Sequence, residues 1–193
     1  MAVQIDETFQ VPDVGPVVGG LLTRGVLHEN DRLLAGPSHD GSFHPVRVVS
    51  VQRHRVPCRL VRAGESATLA LAPSAGALLR RGTVLCSPAD VRPTATRLFR
   101  ARVRVLSHPG RLAVGFQALV QAGNVQQAAV VVGVRGGNSA SLGVTDRGVL
   151  LFKFVRQPEC LRPGSRLLFH QGQARGIGCI LQVYPLHVPP ALH

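Results

Sequence analysis

The 193-residue chain is 45% apolar with a positive mean hydropathy, which excludes a disordered tail, and it is long enough for one large domain or two of roughly 90 to 100 residues. Its formal net charge of +12 attracts polyanions, of which RNA, DNA and the ribosome are the obvious ones. With 21 Gly and 14 Pro, no run free of both exceeds 15 residues, Thr94 to His108, which disfavours helix and predicts an all-β protein.

Aromatic residues are only 4% and Trp is absent, so the core is expected from Val, Leu and Ala. All the Lys and Arg residues are Arg except Lys153, and charge of this kind is often merely solvated surface, so its placement matters more than its sum. Cys58, Cys86, Cys160 and Cys179 lie far apart with no Cys-x-x-Cys pair and read as buried thiols of a reducing compartment rather than a zinc site or disulfide framework. The chain opens with no signal peptide and no apolar run approaches the roughly 20 residues of a membrane helix, so a soluble, cytoplasmic protein with no membrane partner is expected. It enters a strand pattern almost at once, at Val3, as a fragment or short isoform of a longer protein would.

In chain order, residues 3–11 alternate weakly up to Pro12, and Val14 to Gly25 is an apolar strand punctured by glycines, which mark a bulge, a bend or a close backbone approach. A polar turn at Glu29-Asn30-Asp31 precedes a short strand, and Gly36 to Pro45 reads as a long loop. Val46 rises into Val51–Leu71, where Arg53, Arg55, Arg59 and Arg62 lead to an Ala63-Gly64-Glu65 corner and a second alternating run. Gln52, Arg55 and Ser66 are expected to converge there as the polar tips of a basic pocket on a barrel wall. A turn at Pro73 to Gly76 and a last strand at Gly82 to Leu85 complete this unit, and Ser87 to Pro93 is the expected linker.

In the second unit Phe99, Ala101, Val103 and Val105 alternate with Arg100, Arg102 and Arg104, which form one basic stripe only if the run is a strand. Further strands are expected at 115–121, 125–134, 149–155, 166–169 and 178–184, with a mobile Gly/Ser-rich loop at 133–148 and a poorly ordered tail. The predicted organisation is two consecutive small antiparallel β-barrels of Greek-key type, over 1–92 and 93–186, with a tail at 187–193.

Catalysis has little support in these residues. The close carboxylates, Asp6-Glu7 and Glu29/Asp31, sit at expected strand ends or turns, the histidines have no Ser or Cys partner in a nucleophile elbow, and Cys58 follows Val56-Pro57 as a core thiol would. A phosphate-cradling loop needs a Gly-Lys pair, and Lys153 follows Phe152. The chain alone is therefore expected to be no enzyme, with no GTP, metal or other cofactor of its own. Arginines suit phosphates, while Phe9, Phe43 and Phe116 are the only candidate rings for base stacking.

Gly15-Pro16-Val17-Val18-Gly19-Gly20-Leu21-Leu22-Thr23-Arg24-Gly25 followed by a Glu-Asn-Asp turn, the Arg62-Ala63-Gly64-Glu65-Ser66-Ala67 corner and Arg81-Gly82-Thr83-Val84-Leu85 together resemble the second domain of elongation factor Tu-class translational GTPases. Gly115-Phe116-Gln117-Ala118, residues 122–129, Phe152-Lys153-Phe154, Gln157-Pro158-Glu159-Cys160-Leu161 and residues 169–178 are similar to the third domain, and the pattern is most like the GTP-binding protein 1 and GTP-binding protein 2 branch. The resemblance implies two barrels that follow a GTPase domain, with GTP and Mg belonging only to a full-length parent. It implies a tRNA 3′-end pocket at Phe9, Gln52, Arg55 and Ser66, of which Gln52 and Ser66 depart from the family's Glu and Asn but can still hydrogen-bond a base or ribose edge. It also implies backbone contact through a hairpin carrying Arg175 and Gly176, and a part in ribosome surveillance or rescue of stalled translation. With Arg62 and the Arg100/Arg102/Arg104 stripe as further RNA-backbone positions, tRNA or the ribosome is the expected partner. A protein-interaction module that packs on a GTPase domain or partner factor, its arginines merely solvated, is the alternative.

Overall fold

The computed structural model describes residues 1–72, 79–89, 94–136 and 141–186, and it divides into two compact units, residues 1–93 and 94–193. Among the described residues every regular element is a strand, and no helix is long and apolar enough to cross a membrane.

The first unit contains β1 (Ala2–Val11), β2 (Gly15–Arg24), β3 (Val26–His28), β4 (Arg32–Gly36), β5 (His44–Arg53), β6 (Val56–Pro57), β7 (Leu60–Arg62), β8 (Ser66–Leu71) and β9 (Val84–Cys86). Six of them run in the order β4-β9-β1-β2-β8-β5, and β4 pairs again with β5, which closes an antiparallel barrel; β6 hangs from the β5 edge and β3 pairs with β7 in a separate ribbon. Closure gives each of the six barrel strands a partner on both sides. Alternation along the strands turns Val3, Ile5, Val18, Leu22, Val48, Val51, Leu69 and Leu71 inward, an aliphatic core as the composition predicts.

The glycines of β2 serve the bend. A Cβ on Gly20 would stand 2.3 Å from the Gln4 carbonyl oxygen, so only glycine lets β1 lie this close beside the irregularity between Ile5 and Glu7. That irregularity corrects one expectation: Asp6 and Glu7 lie within a ten-residue strand, at its bulge, rather than at a strand end.

The second unit contains β10 (Ala95–Ser107), β11 (Leu112–Ala113), β12 (Gln117–Ala122), β13 (Val125–Arg135), β14 (Ser141–Leu142), β15 (Arg147–Phe154), β16 (Glu159–Cys160), β17 (Arg166–Gln171) and β18 (Ala174–Pro185). Its sheet order, β15-β13-β12-β17-β18-β10, is closed by the β10–β15 pairing, again into six antiparallel strands. The aromatic content, low as it is, concentrates here: the Phe99 ring lies 5.3 Å from Phe152 and 5.0 Å from Phe154, and Phe152 lies 5.8 Å from Phe169. The expectation of a core without aromatics holds for the first barrel and fails for the second, because Phe99, Phe152 and Phe154 occupy inward positions that pair across β10 and β15.

Further differences are local. The expected loop at 133–148 includes the end of β13, all of β14 and the start of β15, since Arg135 still pairs with Val149. Cys86 alone is fully buried; Cys58, Cys160 and Cys179 are half-buried, and all four are free thiols. The turn at Pro73 to Gly76, the end of the linker at Pro93 and the tail 187–193 lie outside the described residues.

Candidate functional site

The stretch expected to carry function folds as a hairpin and a corner on the first barrel. Strand β5 turns into β6 through His54 and Arg55 alone, with Arg53 opposite Val56. Both turn residues have positive φ, 51° and 66°, the left-handed pair that a two-residue hairpin of this kind requires and that Asn-Gly normally supplies. Non-glycine residues there cost about 1–2 kcal/mol each, and such strain is typical of places where a side chain is held for use. Arg55 is thereby presented at the tip, exposed.

The Arg62-Ala63-Gly64-Glu65 corner is a four-residue turn in which the Glu65 N–H donates to the Arg62 carbonyl at 3.1 Å and Gly64 takes φ 92°. Glu65 closes the turn a second time: its Oε2 accepts from the Arg62 N–H at 2.8 Å, while its Oε1 pairs with the Arg53 guanidinium. The Arg62 amide, and then the Arg53 charge, hold the Glu65 carboxyl below its ordinary pKa. Arg53 is thus spoken for, whereas no ion pair involves Arg55 or Arg62 among the described residues. Further bonds from Gly64 N–H to the Leu22 carbonyl (2.7 Å) and from Ala63 N–H to the Gly25 carbonyl (3.0 Å) tie the corner to β2 and to the glycine that follows it.

Register puts three of the four expected pocket residues, Phe9, Gln52 and Ser66, on one outward face, with Arg55 in the turn beyond β5. Glu7, Gly19, Thr68 and Gln52 form a row across β1, β2, β8 and β5. Ser66 lies two residues before Thr68 on the same face of β8, opposite Leu21. Phe9 stands in the neighbouring row, beside Val17, with Ala70 and Ser50 beyond it. The sheet therefore brings Gln52 and Ser66 close together, while Phe9 lies about three strand spacings from Ser50, on the order of 14 Å. Gly19 leaves the middle of the face low, with the Glu7 carboxylate beside it: a Cβ there would meet Glu7 Oε2 at 3.8 Å. A hollow of about 210 Å³ opens beside Phe9, walled by Thr8, Gln10, Pro16, Val17 and Leu79.

Of the three candidate stacking rings, Phe9 is presented to solvent at 50% exposure. Phe43 packs over Gly36, where a Cβ would meet its ring at 2.6 Å, and Phe116 packs on the second core with its ring 5.3 Å from His108. The sequence missed the Arg53–Glu65 pairing and the presence of Glu7 on the face, although the alternation of β8 against β5 carries the information that Gln52, Ser66 and Thr68 share a side.

In the second unit Arg100, Arg102 and Arg104 do form an outward stripe, alternating with buried Ala101, Val103 and Val105. The Arg100 guanidinium lies 5.8 Å from the Tyr184 ring centroid. The β17–β18 hairpin turns at Gly172 (φ 55°), with Arg175 exposed opposite His170. Gly176 has a packing role, since a Cβ there would lie 2.1 Å from the Phe169 ring. Other signature residues of this unit are structural too. The buried Gln127 amide donates to Glu159 Oε1 at 2.6 Å and to the Gln157 carbonyl at 3.1 Å, and its oxygen accepts from the Arg156 and Gln157 N–H groups. Among the described residues no cluster of His, Cys, Asp and Glu is fit to hold a metal ion.

No family model matches the chain. Curated relatives do: it is 43% identical over 180 residues to GTP-binding protein 2 of Homo sapiens and of Mus musculus, and 36% identical over 180 residues to GTP-binding protein 1 of Xenopus laevis. These alignments cover 93% of this chain but 29% and 27% of the relatives, so the chain spans less than a third of their length. A crystal structure of sup35 complexed with GDP superposes with a TM-score of 0.81 at 15% identity, over 95% of this chain and 47% of that one, a likeness of fold. The chain is thus a relative of the GTP-binding protein 1 and 2 branch, and its two barrels are of the second-domain and third-domain type of elongation factor Tu-like GTPases.

Proposed function

We propose that the chain is a non-catalytic module that binds tRNA or the ribosome, the C-terminal pair of barrels of a cytoplasmic translational GTPase acting in ribosome surveillance or rescue. GTP and Mg belong in this reading to the GTPase domain of the longer protein. The observation that carries it is the outward face of the first barrel, where Gln52 and Ser66 share one side of the adjacent strands β5 and β8, an exposed Phe9 stands on the same face farther along the sheet, on β1, and Arg55 is held at the end on a positive-φ turn.

A tRNA 3′ end needs a ring for its terminal base, short polar side chains for a ribose or base edge, and unpaired cations for its phosphates. Phe9 supplies the first, Gln52 and Ser66 the second, and Arg55 and Arg62 the third, with Arg175 and its hairpin as a separate backbone contact on the other unit. The departure of Gln52 and Ser66 from the family's Glu and Asn fits a site that reads the terminal nucleotide without demanding an aminoacyl group.

Titration with deacylated and aminoacylated tRNA over a salt series tests this. Each phosphate contacted steepens the fall of log affinity with log salt by about 0.7 on single strands. Binding that steepens in this way and weakens in Arg55→Ala supports the reading; absent binding at low salt, or affinity indifferent to salt, overturns it.

A further inference from the structure

The Arg100/Arg102/Arg104 stripe, expected to lie on RNA backbone, borders a surface that is largely apolar. On the outward face of β10, β18 and β17, Cys179 stands between Arg102 and Arg166 in one row. In the next row Ile177 pairs with Leu168 on one side and Arg104 on the other, with Arg147 beyond Arg104. Leu168 is 51% exposed, Ile177 41% and Leu106 47%, so three large aliphatic side chains from three strands form an open strip. They belong to a groove of about 840 Å³ and an adjoining one of about 380 Å³, which share Leu168 and Ile177.

The charges around this floor are of one sign. Arg102, Arg104 and Arg147 stand on one side and Arg166 on the other; among the described residues none of the four makes an ion pair and no carboxylate lines the groove. A nucleic acid would satisfy the arginines but would lay ribose and phosphate on the leucines. It would also find no exposed Phe, Tyr or Trp ring on this floor among the described residues, because Phe169 is 1% exposed, and only the His170 imidazole at the far end of the adjoining groove is open to solvent. A protein segment with apolar and acidic side chains satisfies both parts.

The placement of the cations narrows its form. An extended strand points alternate side chains away from the surface, so its carboxylates would face solvent; an amphipathic helix carries an apolar stripe with charges on both flanks. Arg102 and Arg166 are two strand spacings apart, about 10 Å, close to the diameter of a helix. We infer that this groove is a docking site for a short acidic amphipathic helix of a partner protein, its leucine-type anchors on Leu168 and Ile177 and its carboxylates on the flanking arginines. The inference does not rest on the RNA reading of the first barrel and uses none of its residues.

The test uses fluorescence anisotropy with a labelled acidic amphipathic peptide of about 15 residues, Leu at helical spacing and Glu elsewhere, against a peptide of the same composition in scrambled order. The patterned peptide should bind, and the scrambled one should bind at least tenfold more weakly. Arg102→Glu with Arg166→Glu should abolish binding, and Leu168→Ser should weaken it about tenfold. Leu168 is half-exposed, so that variant keeps its melting temperature and serves as the folded control. No binding at low salt, equal binding of the two peptides, or indifference to Leu168→Ser each overturns the inference. So does an oligouridine of about 12 nucleotides that displaces the peptide and whose own binding is lost in Arg102→Glu, which would return the stripe to RNA.

Discussion

The two barrels share a closed circuit of six antiparallel strands and differ in almost everything placed on it. The first is filled by Val, Leu and Ile, and its distinctive features lie on the rim, in a strained turn and an ion-paired corner. The second adds a cluster of packed phenylalanine rings to its Val, Leu and Ala, and its distinctive feature is an apolar groove on the outer wall. The lesson is that barrel closure fixes only which residues face in; the outward set is free to become a polar shelf on one unit and a basic-edged apolar trough on the other.

The largest effect that sharpens this comparison lies in the cores. Phe152→Ala removes a ring that touches two others and should destabilise the second unit by about 3–5 kcal/mol, the upper part of the core-truncation range. Val48→Ala, at an equally buried site of the first, should cost roughly 2 kcal/mol. Urea denaturation followed separately in each unit checks this, and equal losses would break the contrast between the two cores.

A smaller effect separates stability from function at the turn. Arg55→Gly relieves a positive-φ arginine and should stabilise the first unit by about 1 kcal/mol while weakening tRNA binding. Thermal denaturation and a tRNA titration of the same variant read the two effects, and a loss of stability would show that the turn is not strained.

The smallest effect is a pH dependence at the corner. The Glu65 carboxyl is held below its ordinary value, so the stability it contributes is present above the unfolded glutamate range and is lost as pH falls through the lowered folded value. Melting temperatures of the parent and Glu65→Gln should therefore differ at neutral pH and converge in acid. A difference that grows on acidification would contradict the Arg62 and Arg53 contacts.

Much of this architecture is legible in the sequence because long strands write their burial as alternation: β10 can be read from Phe99 to Val105 at sight, and β2 from its glycines. Short pairings such as β6, β11, β14 and β16 have two residues each and leave no periodicity to read. The His54-Arg55 turn was illegible for another reason: its residues lack the Gly or Asn that announces positive φ. The groove was hidden because Leu106, Leu168 and Ile177 come from three strands and meet only through register. The pocket residues Gln52 and Ser66 were legible from the hairpin pattern and again from the family resemblance, which alone added Phe9, and the strand pairing gives the first two a common face without placing Phe9 beside them.

The central claim, that the outward face of the first barrel takes a tRNA 3′ end, is tested most directly by the affinity of deacylated tRNA with and without its terminal adenosine. The measurement is made at fixed salt on the parent chain and on Phe9→Ala. The account predicts that removing the adenosine weakens binding to the parent about tenfold, the worth of one stacked base, and makes no further difference in Phe9→Ala. Equal affinity of the parent for the two RNAs would contradict it.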